Sequence, residues 1–171
     1  MNNIILIGMP SSGKSTLGVL LAKLLGYDFI DTDLLIQRAE GMHLQDILNE
    51  RGAAYFKKRE AQVLCGLACE KTVIATGGSA VYDEAAMTHL RSLGLVVYLY
   101  LPYAAVERRL QNLATRGVVM EKGTTLRALY EERAPLYEAY AHLTFDETEG
   151  GRERSMAENA SALYALLSEQ K

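Results

Sequence analysis

The chain opens on an unbroken apolar run, Ile4-Ile5-Leu6-Ile7, that ends abruptly at Gly8. A run this short, apolar and bounded by glycine, predicts a core strand. Residues 14–25 then predict a helix, stopped by Gly26. Residues 27–31 read as a second strand. Residues 33–40 and 44–50 read as short helices, each closed by a glycine, Gly41 and Gly52. A longer helix is expected over 53–70. Residues 72–76 are β-branched and predict a third strand, running into Gly77-Gly78. A helix over 83–93 stops at Gly94. The near-continuous apolar run 95–101 predicts a strand buried on both faces. Residues 103–113 read as helix, and residues 114–125, polar with two glycines, as a mobile loop. The helix expected over 126–140 contains Pro135, which should kink it or begin a new turn. A short strand at 142–145 leads into a charged turn over 147–153 and a final amphipathic helix over 152–169. Strands alternating with helices imply a parallel sheet wrapped on both faces, an α/β fold. No internal repeat or linker divides the chain, so residues 1–171 are expected to form one domain.

Composition narrows this picture. At 171 residues and 49% apolar, the chain can bury one good core. A net charge of −3 argues against a nucleic-acid surface. Lys57-Lys58-Arg59 and Arg108-Arg109 are short basic runs and read as solvated helix faces. Cys65 and Cys69 stand four apart and should share one helix face. Without further cysteines or a suitably placed histidine they read as free thiols of a reducing cytosol, not as a metal site. No apolar run approaches the ~18 residues of a membrane span. The N-terminal run has no basic segment before it and reads as a core strand, not a secretion signal. A cytoplasmic location, no membrane partner and a monomer are the expectations.

The first strand runs straight into Gly8-Met9-Pro10-Ser11-Ser12-Gly13-Lys14-Ser15. Strand, G-x-x-x-x-G-K-S, then helix is the arrangement of a phosphate-binding loop. Gly8 and Gly13 let the backbone turn tightly and point N–H groups inward. The helix that follows adds its positive end. Lys14 is placed to reach the β- and γ-phosphates, and the Ser15 hydroxyl is a hard oxygen ligand for Mg²⁺. Gly8, Ser11, Ser12, Gly13, Lys14, Ser15 and Thr16 are therefore the expected nucleotide-binding residues, with ATP as nucleotide and Mg²⁺ beside it.

Ligands of such sheets bind at the carboxyl ends of the strands. Two more loops there carry chemistry, Asp31-Thr32-Asp33 and Thr76-Gly77-Gly78-Ser79. Two carboxylates facing bound phosphates suggest two tasks. One supports Mg²⁺, through water, and the other accepts the proton of an acceptor hydroxyl. Either could instead cap the helix that follows. Gly77-Gly78 offers backbone N–H groups to an anion, or is a plain tight turn. His43, His89 and His142 do not cluster in sequence and carry no expected role. Asp46 and Glu60 read as surface or supporting residues, Glu60 with the option of bracing Lys57 or Arg133.

Over nearly its full length the chain resembles the shikimate kinase family, within the nucleoside-monophosphate-kinase-like group. The matching pieces are the phosphate loop, Phe29-Ile30-Asp31-Thr32-Asp33, Gly52-Ala53-Ala54-Tyr55-Phe56-Lys57-Lys58-Arg59-Glu60, Ala75-Thr76-Gly77-Gly78, Arg116, and Arg133-Ala134-Pro135-Leu136-Tyr137. The phosphate loop is shared with many families. The Asp-Thr-Asp and Arg-Ala-Pro-Leu-Tyr pieces are more specific. The resemblance implies a three-layer α/β/α P-loop kinase fold with a five-stranded parallel sheet, a substrate-binding region near 32–61 and a mobile lid near 112–125. It implies ATP-dependent phosphorylation of shikimate to shikimate 3-phosphate, in aromatic amino-acid biosynthesis. By the same resemblance Asp33 holds the acceptor hydroxyls and acts as base, and Asp31 sits near Mg²⁺. Arg133 clamps the acceptor carboxylate with Lys57, Gly77 and Gly78 around it. Arg116 and Lys14 meet the transferring phosphate.

The departures fall on the acceptor side. Lys57 stands where the family has arginine, and a point charge cannot make the bidentate fork. Ala53 replaces a glutamate, and Ser79 replaces the third glycine of a Gly-Gly-Gly turn. Gly117-Val118-Val119 follows Arg116 in place of Pro-Leu-Leu. Arg59 could supply the missing guanidinium, but two positions along a helix turn it ~200° away. These changes leave two alternatives beside shikimate. One is a kinase for another acceptor, such as a sugar acid or hydroxy amino acid. The other is a nucleotide-binding regulatory module without transfer activity.

Overall fold

Every residue of β1 (Asn3–Ile7) is buried, as a strand covered on both faces must be. The computed structural model describes residues 3–111 and 123–169. After β1 come α1 (Lys14–Leu25), β2 (Asp28–Asp31), α2 (Thr32–Glu40), α3 (Leu44–Cys65) and β3 (Thr72–Ala75). A 3₁₀ turn, Ala80–Tyr82, precedes α4 (Glu84–Leu93), β4 (Gly94–Tyr100) and α5 (Tyr103–Gln111). The chain ends with α6 (Leu126–Tyr140), β5 (Leu143–Asp146), the short strands β6 (Thr148–Glu149) and β7 (Arg152–Glu153), and α7 (Met156–Ser168). The expected loop at 114–125 falls largely, and Arg116 wholly, outside the described residues.

The main sheet has five parallel strands in the order β2-β3-β1-β4-β5. β1 is central. The chain leaves it to one side through β2 and β3, then crosses to the other through β4 and β5. That reversal opens a crevice at the carboxyl end of β1. The period of two in β1 separates the core into layers. Ile5 and Ile7 pack with Leu64, Ile74, Leu90 and Tyr137. Ile4 and Leu6 pack with Leu17, Leu21, Val97 and Leu163 on the opposite face. A smaller cluster of Ile36, Ile47 and Phe56 ties α2 to α3 beside the crevice.

Four expectations are corrected. The helix expected over 53–70 ends at Cys65, where the Gly66 and Leu67 N–H groups close back on the carbonyls of Gln62, Val63 and Leu64. Cys69 therefore lies in the connection to β3 and not on a helix face with Cys65. The break expected at Gly52 is present: its φ of 81° and ψ of 168° are non-helical and part the short helix before it from the longer one after it, the two halves of α3. The final helix begins at Met156, where Ser155 and Glu158 form a reciprocal capping box. The residues before it, expected as a plain charged turn, pair as the antiparallel β6–β7 hairpin. Pro135 sits inside α6 without ending it. Among the described residues, no helix is long and apolar enough to cross a membrane.

Candidate active site

Between β1 and α1 the backbone of the phosphate loop is forced close to the sheet. Gly8 has φ 148°, and a side chain there would meet the Leu99 carbonyl at 2.8 Å. Gly13 enters α1 with φ 83°. The Ser12 N–H donates to the Met9 carbonyl at 3.1 Å, closing the turn. Lys14 is buried against this loop and donates to the carbonyls of Gly8 (2.9 Å) and Met9 (2.8 Å). Burial pulls its ammonium down to about 8, while the Asp33, Glu147 and Asp31 carboxylates oppose that pull and Arg133 adds to it.

Asp31 ends β2 and performs two tasks at once. Its Oδ1 accepts from the Asp33 N–H at 3.0 Å, capping α2, and its Oδ2 accepts from the Ser15 hydroxyl at 2.6 Å. The two protein oxygens expected to serve Mg²⁺ thus meet. They fit an ion that keeps most of its shell as water and phosphate oxygen. Among the described residues, no cluster of three or more His, Cys, Asp or Glu forms a separate metal site.

One cleft gathers most of the expected residues. Ser11, Gly13, Lys14, Ser15 and Thr16 line it together with Asp33, Gly77, Gly78 and Arg133. The glycine pair fits because it is hemmed in. A Cβ on Gly77 would lie 2.2 Å from Glu60 Oε1 and 3.0 Å from Asp33 Oδ1. A Cβ on Gly78 would lie 3.0 Å from Arg133 Nη1. Tyr137, one turn beyond Arg133, donates to the Gly78 carbonyl at 2.7 Å and pins the turn from below.

Lys57 is placed differently. It lines the adjoining groove with Glu60, Ser79 and Tyr82, its ammonium 4.5 Å from the centre of the Tyr82 ring. Arg59 points elsewhere and pairs with Glu40 at 2.6 Å.

Two charged residues, Arg109 and Glu147, were misread from sequence, and a third, Glu60, was left open between two readings. Of the surface and supporting readings of Glu60 the structure favours the second: the residue is buried, accepts from the Ser79 hydroxyl at 2.5 Å and feels the Arg133 charge. Burial pushes its carboxyl up to about 7, with the nearby Asp33 charge adding to the rise. The helical spacing of Phe56, Glu60 and Leu64, all buried on one face of α3, was the available signal. Arg109 is not on a solvated face. It donates to the Ser11 carbonyl at 3.1 Å and pairs with Glu147 (3.2 Å) and Glu153 (2.8 Å). Glu147, which sequence assigned to a turn, is fully buried, and burial pushes it up to about 7 against the pull of Arg109 and Lys14.

The sheet order, the loop and the cleft define a P-loop kinase for a small acceptor. The family model for shikimate kinase matches residues 10–164. A shikimate kinase of Nitrosomonas europaea is 40% identical over 159 residues, covering 91% of this chain and 74% of that protein. One from Clostridium botulinum is 38% identical over 142 residues, covering 81% and 84%. The solved structure of shikimate kinase from Acinetobacter baumannii in complex with shikimate superposes with a TM-score of 0.86 at 32% identity, covering 100% of this chain and 95% of that one. The chain belongs to the shikimate kinase family.

Proposed function

We propose that this protein transfers the γ-phosphoryl group of ATP to a hydroxyl of shikimate, with ATP bound as its Mg²⁺ complex. The observation that carries this is the one cleft lined both by the phosphate loop and by Asp33, Gly77, Gly78 and Arg133. Loop N–H groups and Lys14 hold the β- and γ-phosphates. Ser15 and Asp31 hold Mg²⁺, which when bound screens the phosphate charge. Arg133 meets the acceptor carboxylate, the planar anion its fork suits. The Gly77-Gly78 backbone approaches the acceptor closely because no side chain intervenes.

In the transfer, the acceptor oxygen forms a bond to the γ-phosphorus as the bond to the bridging oxygen breaks. Asp33 takes the acceptor's proton, and ADP leaves. Arg116, from the lid region 112–125, neutralises charge on the moving group. Catalysis of this kind rests on positioning and charge stabilisation. The reading carries with it a single-domain monomer, with residues 32–61 as the acceptor region.

Lys57, on Tyr82 in the adjoining groove, is the observation that keeps a different acceptor in play. An ATP-consumption assay against shikimate, quinate, gluconate and homoserine tests both. Saturation by shikimate at ordinary enzyme rates is the expected result. Saturation by another acid alone favours the second reading. Nucleotide binding without turnover of any acceptor favours a regulatory module.

A further inference from the structure

Tyr82 closes the 3₁₀ turn that follows Gly77-Gly78-Ser79, and its N–H donates to the Ser79 carbonyl at 3.1 Å. The backbone that carries the Tyr82 ring is therefore tied to the acceptor turn. Two cations from two different helices converge on this ring. The Lys57 ammonium of α3 is 4.5 Å from its centre, and the Arg133 guanidinium of α6 is 5.2 Å away. Both distances are within the range of a cation–π contact. The phenol oxygen also accepts from Arg133 Nε at 3.1 Å, and donates its own proton to Glu132 Oε1 at 2.5 Å.

These contacts have a directional consequence. With Nε held on the phenol, the guanidinium is fixed in rotation, and its Nη1 lies against Gly78 at the cleft. Lys57 meets the same ring despite the like charge, because the electron-rich ring face favours positive charge. We propose that Tyr82 is a positioning residue that yokes Lys57 and Arg133 into one carboxylate-holding unit for the acceptor. The inference rests on the shikimate reading above. It gives a physical reason for a lysine to serve where a guanidinium fork is absent. The ammonium is aimed by an aromatic face instead of by its own planar geometry.

The test compares Tyr82→Phe and Tyr82→Leu with wild type, by steady-state kinetics for shikimate and for ATP and by calorimetric binding of shikimate. Tyr82→Phe keeps the ring and loses the bond to Arg133 Nε, so KM for shikimate should rise about fivefold. Tyr82→Leu loses the ring as well and should raise it further. KM for ATP and kcat should stay near wild type in both. In the Tyr82→Leu background, Lys57→Met should cost less than it does alone, because the two residues act through one contact. A shikimate KM and affinity unchanged in both folded variants overturns the proposal. Equal losses for shikimate and ATP overturn it too, since they mark general damage to the fold. Absence of shikimate turnover and binding in the wild type overturns the acceptor reading itself, and the inference with it.

Discussion

The Ser15 hydroxyl donates to Asp31 Oδ2 across 2.6 Å, joining the start of α1 to the end of β2. The other oxygen of the same carboxylate caps α2 through the Asp33 N–H. The capping and metal-supporting readings of Asp31 are thus compatible, since each uses one oxygen. The two roles come apart by substitution. Asp31→Asn keeps an oxygen for the cap and removes the charge. It should leave stability near wild type and raise the Mg²⁺ needed for half-maximal rate by about tenfold. Asp31→Ala loses the cap as well and should cost about 1 kcal/mol of stability. Initial rates against Mg²⁺ at fixed ATP, with urea melts of each variant, check both. An Asn variant with unaltered Mg²⁺ demand would leave Asp31 as a cap alone.

Asp33 lines the cleft with Lys14, its Oδ1 3.0 Å from where a Gly77 Cβ would stand. Asp33→Asn is nearly isosteric and should leave ATP affinity intact while lowering kcat by at least ~10²-fold, the usual scale for loss of a general base. Single-turnover measurements with saturating ATP and shikimate read the chemical step directly. A kcat within a few-fold of wild type in a folded variant removes Asp33 from proton transfer.

Lys57→Arg addresses the acceptor clamp. Arginine can keep the contact with the Tyr82 ring and add a planar fork toward a carboxylate. The expected outcome is a several-fold lower KM for shikimate with kcat unchanged, the scale of part of one charge-assisted hydrogen bond. A raised KM means that the groove admits only the slimmer ammonium. In that case the native acceptor is better sought among acids other than shikimate.

How far the sequence carries depends on the range of the interaction. The phosphate loop and the apolar β1 and β4 were legible because each is specified by adjacent residues. Asp31 and Asp33 were legible as a pair because they sit on one turn at a strand end. Arg109 and Glu147 were not, and Glu60 was legible only as surface or supporting, because their burial is imposed by segments far away in the chain. Arg109 is drawn to Ser11 across 98 positions, and Glu147 is enclosed by Arg109, 38 positions earlier. A local reading gives a charge to solvent unless it can see the partner. Gly66 was missed for a related reason. A single glycine in a helical pattern is often tolerated, and only the turn toward β3 made it a terminus.

The buried carboxylates predict how stability follows pH. Glu147 is fully buried, with Oε2 accepting from both Arg109 Nη atoms at 3.2 Å and from Asn159 Nδ2 at 3.3 Å. Desolvation dominates and pushes it up to about 7, as it does Glu60. Both folded values lie above the ordinary glutamate value of 4.5. The folded state therefore binds more protons than the unfolded state between those limits. The stability each group contributes is fully present below pH about 4.5 and is lost as pH rises through about 7. Each group adds a downward slope of up to ~1.4 kcal/mol per pH unit within that window. Urea melts of the wild type from pH 5 to pH 8 at constant ionic strength should show stability falling toward neutrality. Glu147→Gln and Glu60→Gln keep size and hydrogen-bonding capacity without a titrating proton, so each should flatten the fall. Arg109 retains Glu153 at 2.8 Å in the Glu147 variant, so the guanidinium is not left alone there. If both variants track the wild-type slope, the two carboxylates are already ionised in the folded protein. Arg109 and Lys14 would then outweigh the cost of burying the charge on Glu147.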